Sequence, residues 1–354
     1  MPTIVITGGH HNSALVVAKE LISRGYKVVW IGHRSSSRGD KIDSAEYIEV
    51  TGAGIPFHDL QAGKLTASIA ELIRLPGGLI KSFKLLKTIS PTAILSFGGY
   101  LGGTVAFAGK ALGIPIYLHE QTVTAGRANK LIGRLAKTIY LTWSESAKYF
   151  DQTKIKVVGL PLRPSILSGR SKEIFARQKP TLLVMGGKQG SHAINTFIFT
   201  HLRDLLNHFN LVHQTGTSSL TGDYEHALAI RNELGSLSDC YLLLGYISES
   251  EIGTHLRSAD YYFGRSGAHI CYELGVVALP SILVPLMSTH DHEQHKNAQI
   301  LVKAKIGLIL PQTSLTLPNF LENYNNLKKI QAKPIKLSKD ASTVLVEHLI
   351  GELK

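Results

Sequence analysis

Several absences narrow the reading of this 354-residue sequence. It has two cysteines, Cys240 and Cys271, each within or beside an apolar run and neither with CxxC spacing, so both are expected as buried reduced thiols. No run approaches the roughly 20 apolar residues that span a bilayer. The N-terminus enters a strand at once, TIVITGG, without a basic n-region or a long apolar h-region, which argues against a signal peptide. The expectation is a cytoplasmic protein that touches a membrane only from its surface. Clustered basic and aromatic positions are also missing, so nucleic acid is not an expected partner.

What is present is basic charge, glycine and apolar residues. Lys and Arg number 38 against 26 Asp and Glu, a formal net charge of +12. That excess favours an anionic partner, a phospholipid surface or a phosphorylated substrate among them, without choosing one. The length exceeds one ordinary domain and predicts two. With 44% hydrophobic residues and 33 Gly, the chain can bury two cores and make many tight turns.

The pattern along the chain is strand, glycine turn, helix, repeated in each half. Residues 3–6 form an apolar strand running into Thr7-Gly8-Gly9-His10, and residues 14–22 follow with helical periodicity. Strands are predicted at 27–31, 47–50, 93–97, 114–118, 139–142 and 156–158, with a glycine loop over 98–103 and His119-Glu120-Gln121-Thr122 at a strand's carboxyl end. Residues 159–164 (GLPLRP) read as a stiff linker. In the second half, strands at 181–185, 211–214, 241–244 and 306–310 accompany a loop over 186–191 and a terminal helix at 341–353. The fold class is α/β, and in open α/β sheets ligands bind at the carboxyl ends of the strands.

Two stretches carry chemistry. Residues 261–297 read as strand, tight turn, helix, strand, loop, helix; Ser266-Gly267 lets the next helix's first N–H groups face an anion such as a diphosphate. Glu273, six residues on, can project towards a ribose, so the stretch reads as a nucleotide-sugar site. Residues 75–89 form an amphipathic helix in projection, with Leu79, Phe83 and Leu86 on one face and Lys81 and Lys84 away from it. That face either packs on the core or lies on anionic lipid, where each Lys contributes about 1 kcal/mol. The cluster His290-Asp291-His292-Glu293-Gln294-His295 has enough ligands for a metal, but a solvated loop is the preferred reading.

The segments TGGH (7–10), FGGYLGG (97–103), GIPIYLHEQ (113–121), AGRANK (125–130), VVGLPLR (157–163), GGKQGSHAIN (186–195), RSGAHICYELGVVALPSILVP (265–285) and EQHKNA (293–298) occur in one order across nearly the whole chain. In that order they resemble the bacterial UDP-N-acetylglucosamine:lipid I N-acetylglucosaminyltransferase family of the GT-B fold. The resemblance implies two Rossmann-like doubly wound parallel-sheet domains facing a cleft. Residues 1–160, joined by a C-terminal helix at 340–354, would take the acceptor and face the membrane, and residues 161–339 would hold the UDP-sugar. It implies an inverting transfer of N-acetylglucosamine from UDP-N-acetylglucosamine to the muramyl sugar of undecaprenyl-pyrophosphoryl-MurNAc-pentapeptide, with no metal or cofactor. The partners implied are that donor, a lipid-linked diphosphate sugar acceptor, an anionic membrane surface on the cytoplasmic face and cell-wall synthesis proteins.

Carried onto these positions, the resemblance makes Ile247 the backbone reader of uracil and Tyr246 its cap, with Arg163 near the nucleotide and Glu273 accepting from both ribose hydroxyls. Gly187, Lys188, Gln189, Gly190, Ser191, Gly267, Ala268, His269 and Ile270 would line the diphosphate, and Glu293, Gln294 and Asn297 would meet the sugar. For the acceptor it implies Thr7, Gly8, Gly9, Gly98, Gly99, Tyr100, His119, Glu120, Gln121 and Thr122, with His10 as general base and Leu79, Phe83 and Lys84 on the membrane. The sequence departs from the family pattern at Thr122, Lys188, Ile270 and Glu293, and in a shortened first glycine loop. Three other readings stay open: a UDP-sugar transferase with a different lipid-linked acceptor, a UDP-sugar epimerase of the same fold, and a non-catalytic membrane-associated nucleotide-sugar-binding subunit. Turnover of the donor alone separates the epimerase, and binding without turnover separates the subunit.

Overall fold

The computed structural model describes residues 1–9, 11–35, 43–61, 69–176, 179–216, 218–288 and 290–354, with side chains for all of these except 69–75 and 290. The chain divides into two compact units, Met1–Leu162 with Ser338–Lys354, and Arg163–Leu337.

The first unit carries a seven-stranded sheet: β1 (Thr3–Thr7), β2 (Lys27–Gly32), β3 (Phe57–Asp59), β4 (Ala93–Ser96), β5 (Ile116–Glu120), β6 (Thr138–Leu141) and β7 (Ile155–Val157), in the order β3-β2-β1-β4-β5-β6-β7. Every pairing is parallel, with Val5 opposite Val29 on one side and Ile94 on the other. A parallel sheet must be covered on both faces, which is why these strands read as unbroken apolar runs. Alternate residues feed separate cores: Ile4, Ile6 and Trp30 pack with Leu345, Val346 and Leu349, and Val5 and Ile31 pack with Leu86, Leu101 and Leu118. The first of these cores is completed by the C-terminal helix Ala341–Leu353, whose Glu347 meets Arg24 at 3.3 Å and whose Glu352 meets Lys137 at 3.1 Å.

The second unit repeats the arrangement with β8 (Thr181–Met185), β9 (Asn210–Gln214), β10 (Tyr241–Leu244), β11 (Tyr261–Gly264), β12 (Ser281–Leu283) and β13 (Gly307–Ile309), in the order β10-β9-β8-β11-β12-β13, all parallel. Its core joins Leu182 and Val184 to Ile198, Phe209, Phe263 and Phe320. Both sheets reverse their winding once, between β1 and β4 and between β8 and β11. At such switch points the loops diverge and leave a crevice beyond the carboxyl ends of the strands.

Three local expectations change. Residues 47–50 lie in the helix Ala45–Gly52, not a strand: Ser44 caps it by accepting from the Tyr47 N–H at 3.1 Å, and Glu46 occupies the first turn. Most of the 98–103 glycine run is helical, because the helix Gly99–Ala111 begins at Gly99. The helix Ile69–Ile89 buries Gly78, Ser82 and Leu86, while Leu79, Ile80 and Phe83 are exposed (36%, 57% and 39%). The projected face therefore splits, with Leu86 inside and Leu79 and Phe83 outside.

Candidate active site

In the second unit the loop after β8 turns into the helix His192–His208, with Gly187 at φ +93° and Gly190 at φ +85°. The Gly190 N–H closes the turn onto the Gly187 carbonyl at 2.9 Å. A Cβ on Gly190 would lie 1.9 Å from the Thr215 carbonyl oxygen, so only glycine lets this loop rest on the loop after β9. Asn195 fixes that contact, donating Nδ2 to Thr215 O at 2.9 Å and to Asp223 Oδ2 at 2.7 Å. Its Oδ1 lies 3.1 Å from His213 Nε2, whose other ring nitrogen is 2.9 Å from the Tyr241 hydroxyl. Burial pushes the His213 pKa down to about 3, so the ring is neutral and donates from one nitrogen only.

Gln214, the last residue of β9, connects two loops named from the sequence: it donates to Gly187 O at 2.9 Å and accepts the Ile247 N–H at 3.1 Å. Of the Ile247 backbone groups expected at uracil, the amide is thus used within the protein. Lys188 lies with its Nζ 5.7 Å from the centre of the Tyr246 ring, which brings the cation that departs from the family pattern onto the expected uracil cap.

Across the switch point, Arg265 follows β11 and ties three loops, donating to Ser191 Oγ and Gln312 Oε1 at 2.7 Å each and to Val284 O at 3.1 Å. The helix Ala268–Val277 then starts at Gly267 with no side-chain cap, and the positive end of its dipole favours an anion at that turn. Glu273 in the same helix is 1% exposed and meets Arg163 through three contacts, Nε to Oε1 at 2.9 Å and Nη2 to both oxygens at 2.6 Å. Burial raises the Glu273 carboxyl above the usual carboxylate range while Arg163 pulls it back.

Glu293 opens the helix Glu293–Lys303, and burial raises its carboxyl as well. Gln294 accepts the Leu286 N–H at 3.0 Å and the Ser266 hydroxyl on its carbonyl at 2.9 Å, and Asn297 donates to Ser266 O at 3.4 Å. The three residues assigned to the sugar thus adjoin the turn assigned to the diphosphate. In the histidine-rich loop before them, Asp291 pairs with Lys296 at 2.8 Å and His292 Nδ1 donates to Met287 O at 3.2 Å. Among the described residues no group of three or more His, Cys, Asp or Glu is arranged to hold a metal ion.

In the first unit the two glycine turns touch. Gly8 has φ +128°, and a Cβ there would lie 2.7 Å from Gly98 O; the Gly9 N–H points at that same oxygen from 3.4 Å. Behind them is a relay of side chains: the Gly99 N–H donates to Asn129 Oδ1 at 3.2 Å, Asn129 Nδ2 to Glu120 Oε2 at 2.6 Å, and the Thr122 N–H to Glu120 Oε1 at 3.0 Å. Tyr100 stands at the rim with its hydroxyl 2.6 Å from His33 Nε2 and its ring stacked on that imidazole. Thr7 and Gln121 are buried. His10, the expected base, lies outside the described residues.

His119 changes role. Neighbouring strand residues face opposite sides of a sheet, and His119 turns to the inner side, fully buried, against Phe97 and with Nε2 donated to Gly159 O at 3.0 Å. In this position it anchors the start of the linker. Glu120 and Thr122 brace the glycine turn from beneath.

The glycosyltransferase family 28 N-terminal domain matches residues 4–141, and the glycosyltransferase family 28 C-terminal domain matches residues 181–348. The chain belongs to glycosyltransferase family 28. A family 28 relative from Shewanella denitrificans is 30% identical over 353 residues, covering 96% of this chain and 91% of its own length. It is described as a UDP-N-acetylglucosamine–N-acetylmuramyl-(pentapeptide) pyrophosphoryl-undecaprenol N-acetylglucosamine transferase. Among solved structures, Acinetobacter baumannii MurG is similar with a TM-score of 0.72 at 22% identity, over 99% of this chain and all of that one. A UDP-N-acetylglucosamine 2-epimerase from Listeria monocytogenes reaches 0.71 at 13% identity, over 100% of this chain and 96% of its own. At these identities the two structures share the fold.

Sequence reasoning missed Gln214, Asn195, Arg265 and His33, which hold the loops of the candidate site in place. Gln214 and His33 each stand at or just past a strand's carboxyl end, the one signal that singles them out.

Proposed function

We propose that this chain transfers N-acetylglucosamine from UDP-N-acetylglucosamine to the muramyl sugar of a lipid-linked diphosphate acceptor, at the cytoplasmic face of a membrane. The observation that carries the reading is the likeness to a transferase of that description over 96% of this chain. The second unit takes the donor: Tyr246 covers the uracil, Glu273 holds the ribose, and the N-terminal end of the helix Ala268–Val277 with Lys188 meets the diphosphate. Charge develops on that diphosphate as the anomeric C–O bond breaks, so a fixed cation and a helix N-terminus stabilise the transition state more than the ground state.

The first unit takes the acceptor at the Gly8–Gly98 turns. His10 removes the proton of the acceptor hydroxyl, whose oxygen attacks the anomeric carbon from the side opposite UDP, inverting that centre. Such a base contributes about 10²–10⁴-fold. The glycine turns, braced by Asn129 and Glu120, set the distance of approach.

Membrane docking is supported by Leu79, Ile80 and Phe83 together with Phe107 (43% exposed) on the adjacent helix Gly99–Ala111, all among exposed Lys81, Lys84 and Lys110. Among the described residues no helix is long and apolar enough to cross a membrane. A surface of apolar side chains flanked by lysines suits reversible attachment to anionic lipid.

The test is turnover with labelled UDP-N-acetylglucosamine and a short-chain analogue of the lipid-linked acceptor, following UDP release and label in the lipid. Label entering the lipid only when the analogue is present supports the reading. Epimerised sugar from donor alone, or donor binding without transfer, rejects it.

A further inference from the structure

The Arg163–Glu273 pair leaves a shortage of acceptors for the ligand assigned to it. A carboxylate offers about four lone-pair sites. On Glu273, Oε1 receives both Nε and Nη2 of Arg163, and Oε2 receives Nη2 again. One site remains, on Oε2. Two adjacent hydroxyls of a ribose cannot both donate to Glu273 unless Arg163 lets go.

A second carboxylate stands beside the pair. Glu249 follows β10 two residues after Ile247, and its carbonyl accepts the hydroxyl of Ser165, which lies two residues past Arg163 in the helix Pro164–Ser168. That bond pins Glu249 to the corner where Arg163 emerges. Glu249 is close enough to act electrostatically on both Arg163 and Glu273. Its Oε1 is buried and has no hydrogen-bond partner among the described residues. A buried carboxylate oxygen without a donor is costly, and a ligand hydroxyl would relieve that cost.

We propose that Glu249 and Glu273 divide the recognition of a vicinal diol, one hydroxyl donating to the free site on Glu273 Oε2 and its neighbour to Glu249 Oε1, while Arg163 holds Glu273 in place. This rests on the second unit being the site of a uridine diphosphate donor. The division makes ribose selection a two-carboxylate property. Removing the charge of Glu249 weakens the contact to one hydroxyl and leaves the other intact.

The experiment is binding of UDP, 2′-deoxy-UDP and 3′-deoxy-UDP to the full chain and to Glu249→Gln, by calorimetry. A charge-assisted bond to a hydroxyl corresponds to roughly 10- to 100-fold in affinity. The wild-type protein should prefer UDP over each deoxy analogue by about tenfold or more. In Glu249→Gln the preference over one analogue should collapse to within about threefold, and the preference over the other should persist. Equal weakening of all three ligands would mean that Glu249 is only a brace, overturning the proposal while the donor reading stands. Failure of the wild-type protein to bind UDP overturns both. Should Glu249→Gln not fold, Glu249→Asp keeps the charge but shortens its reach, and must show the same one-sided loss of preference.

Discussion

Removing Arg163 should destabilise the second unit far more than removing the whole ion pair. The Arg163 and Glu273 side chains are 10% and 1% exposed and share three contacts of 2.6–2.9 Å. Deleting one partner of such a pair leaves a buried charge uncompensated, at a cost of about 3–5 kcal/mol. In a domain of this size that is a fall of roughly 6–20 °C in melting temperature, at about 2–4 °C per kcal/mol. Replacing both, as Arg163→Met with Glu273→Leu, removes the charge along with its partner and should cost less than the single change. The pH dependence has a definite sign. Burial raises the Glu273 carboxyl, and without Arg163 nothing in the pair opposes the shift. A raised folded-state pKa gives stability that is present below the unfolded value and lost as pH rises through the folded one. Arg163→Met should therefore lose stability as pH rises above the unfolded carboxylate value of about 4.3, and the double variant should lose this slope. Glu249 and Tyr246 also act on Arg163, so Glu249→Gln is the control for the remaining charge. Thermal unfolding of the three variants as a function of pH is the assay. Parallel pH profiles, or a double variant as unstable as the sum of the singles, would refute the reasoning.

Three further perturbations test other parts of the structure. Gly190→Ala places a Cβ 1.9 Å from Thr215 O at a positive φ, so it should cost about 2 kcal/mol or more by urea unfolding and abolish UDP binding; a folded variant with normal UDP affinity overturns the loop's role. His213 is held neutral with its pKa at about 3, so the stability it confers is full above the unfolded value and declines as pH falls. Between pH 7 and 5 the wild-type protein should lose about 2 kcal/mol that His213→Phe does not lose, and identical acid limbs would count against this. Phe83→Asp with Lys84→Glu should release the protein from anionic vesicles in flotation without lowering its melting temperature, because both side chains are exposed; unchanged flotation rejects the membrane face.

The sheets were legible in the sequence because a strand covered on both faces must be apolar throughout, and residues 3–6, 93–96 and 181–185 leave no other reading at that length. The glycine turns were legible for a related reason: Gly8, Gly98 and Gly190 sit at positive φ with backbone atoms within 2.7 Å of where a Cβ would be, or a side-chain oxygen within 2.4 Å. Burial of the helix Ile69–Ile89 was not legible. A projection groups Leu79, Phe83 and Leu86, but the buried stripe runs through Gly78, Ser82 and Leu86, so two small residues take places on it while Leu79 and Phe83 stay out. Residues 47–50 failed for want of length, since four residues fit either period and the cap at Ser44 decided between them. The side chains that shape the candidate site were the least legible of all. Gln214 acts on an amide 33 residues away, Arg265 on a hydroxyl 74 away and Arg163 on a carboxylate 110 away. Local pattern carries no information at those separations. What made Glu273 visible was the helix it rides on, and what hid Glu249 was a loop: its position is set by a bond from Ser165 to its backbone, which the type of its own side chain does nothing to announce.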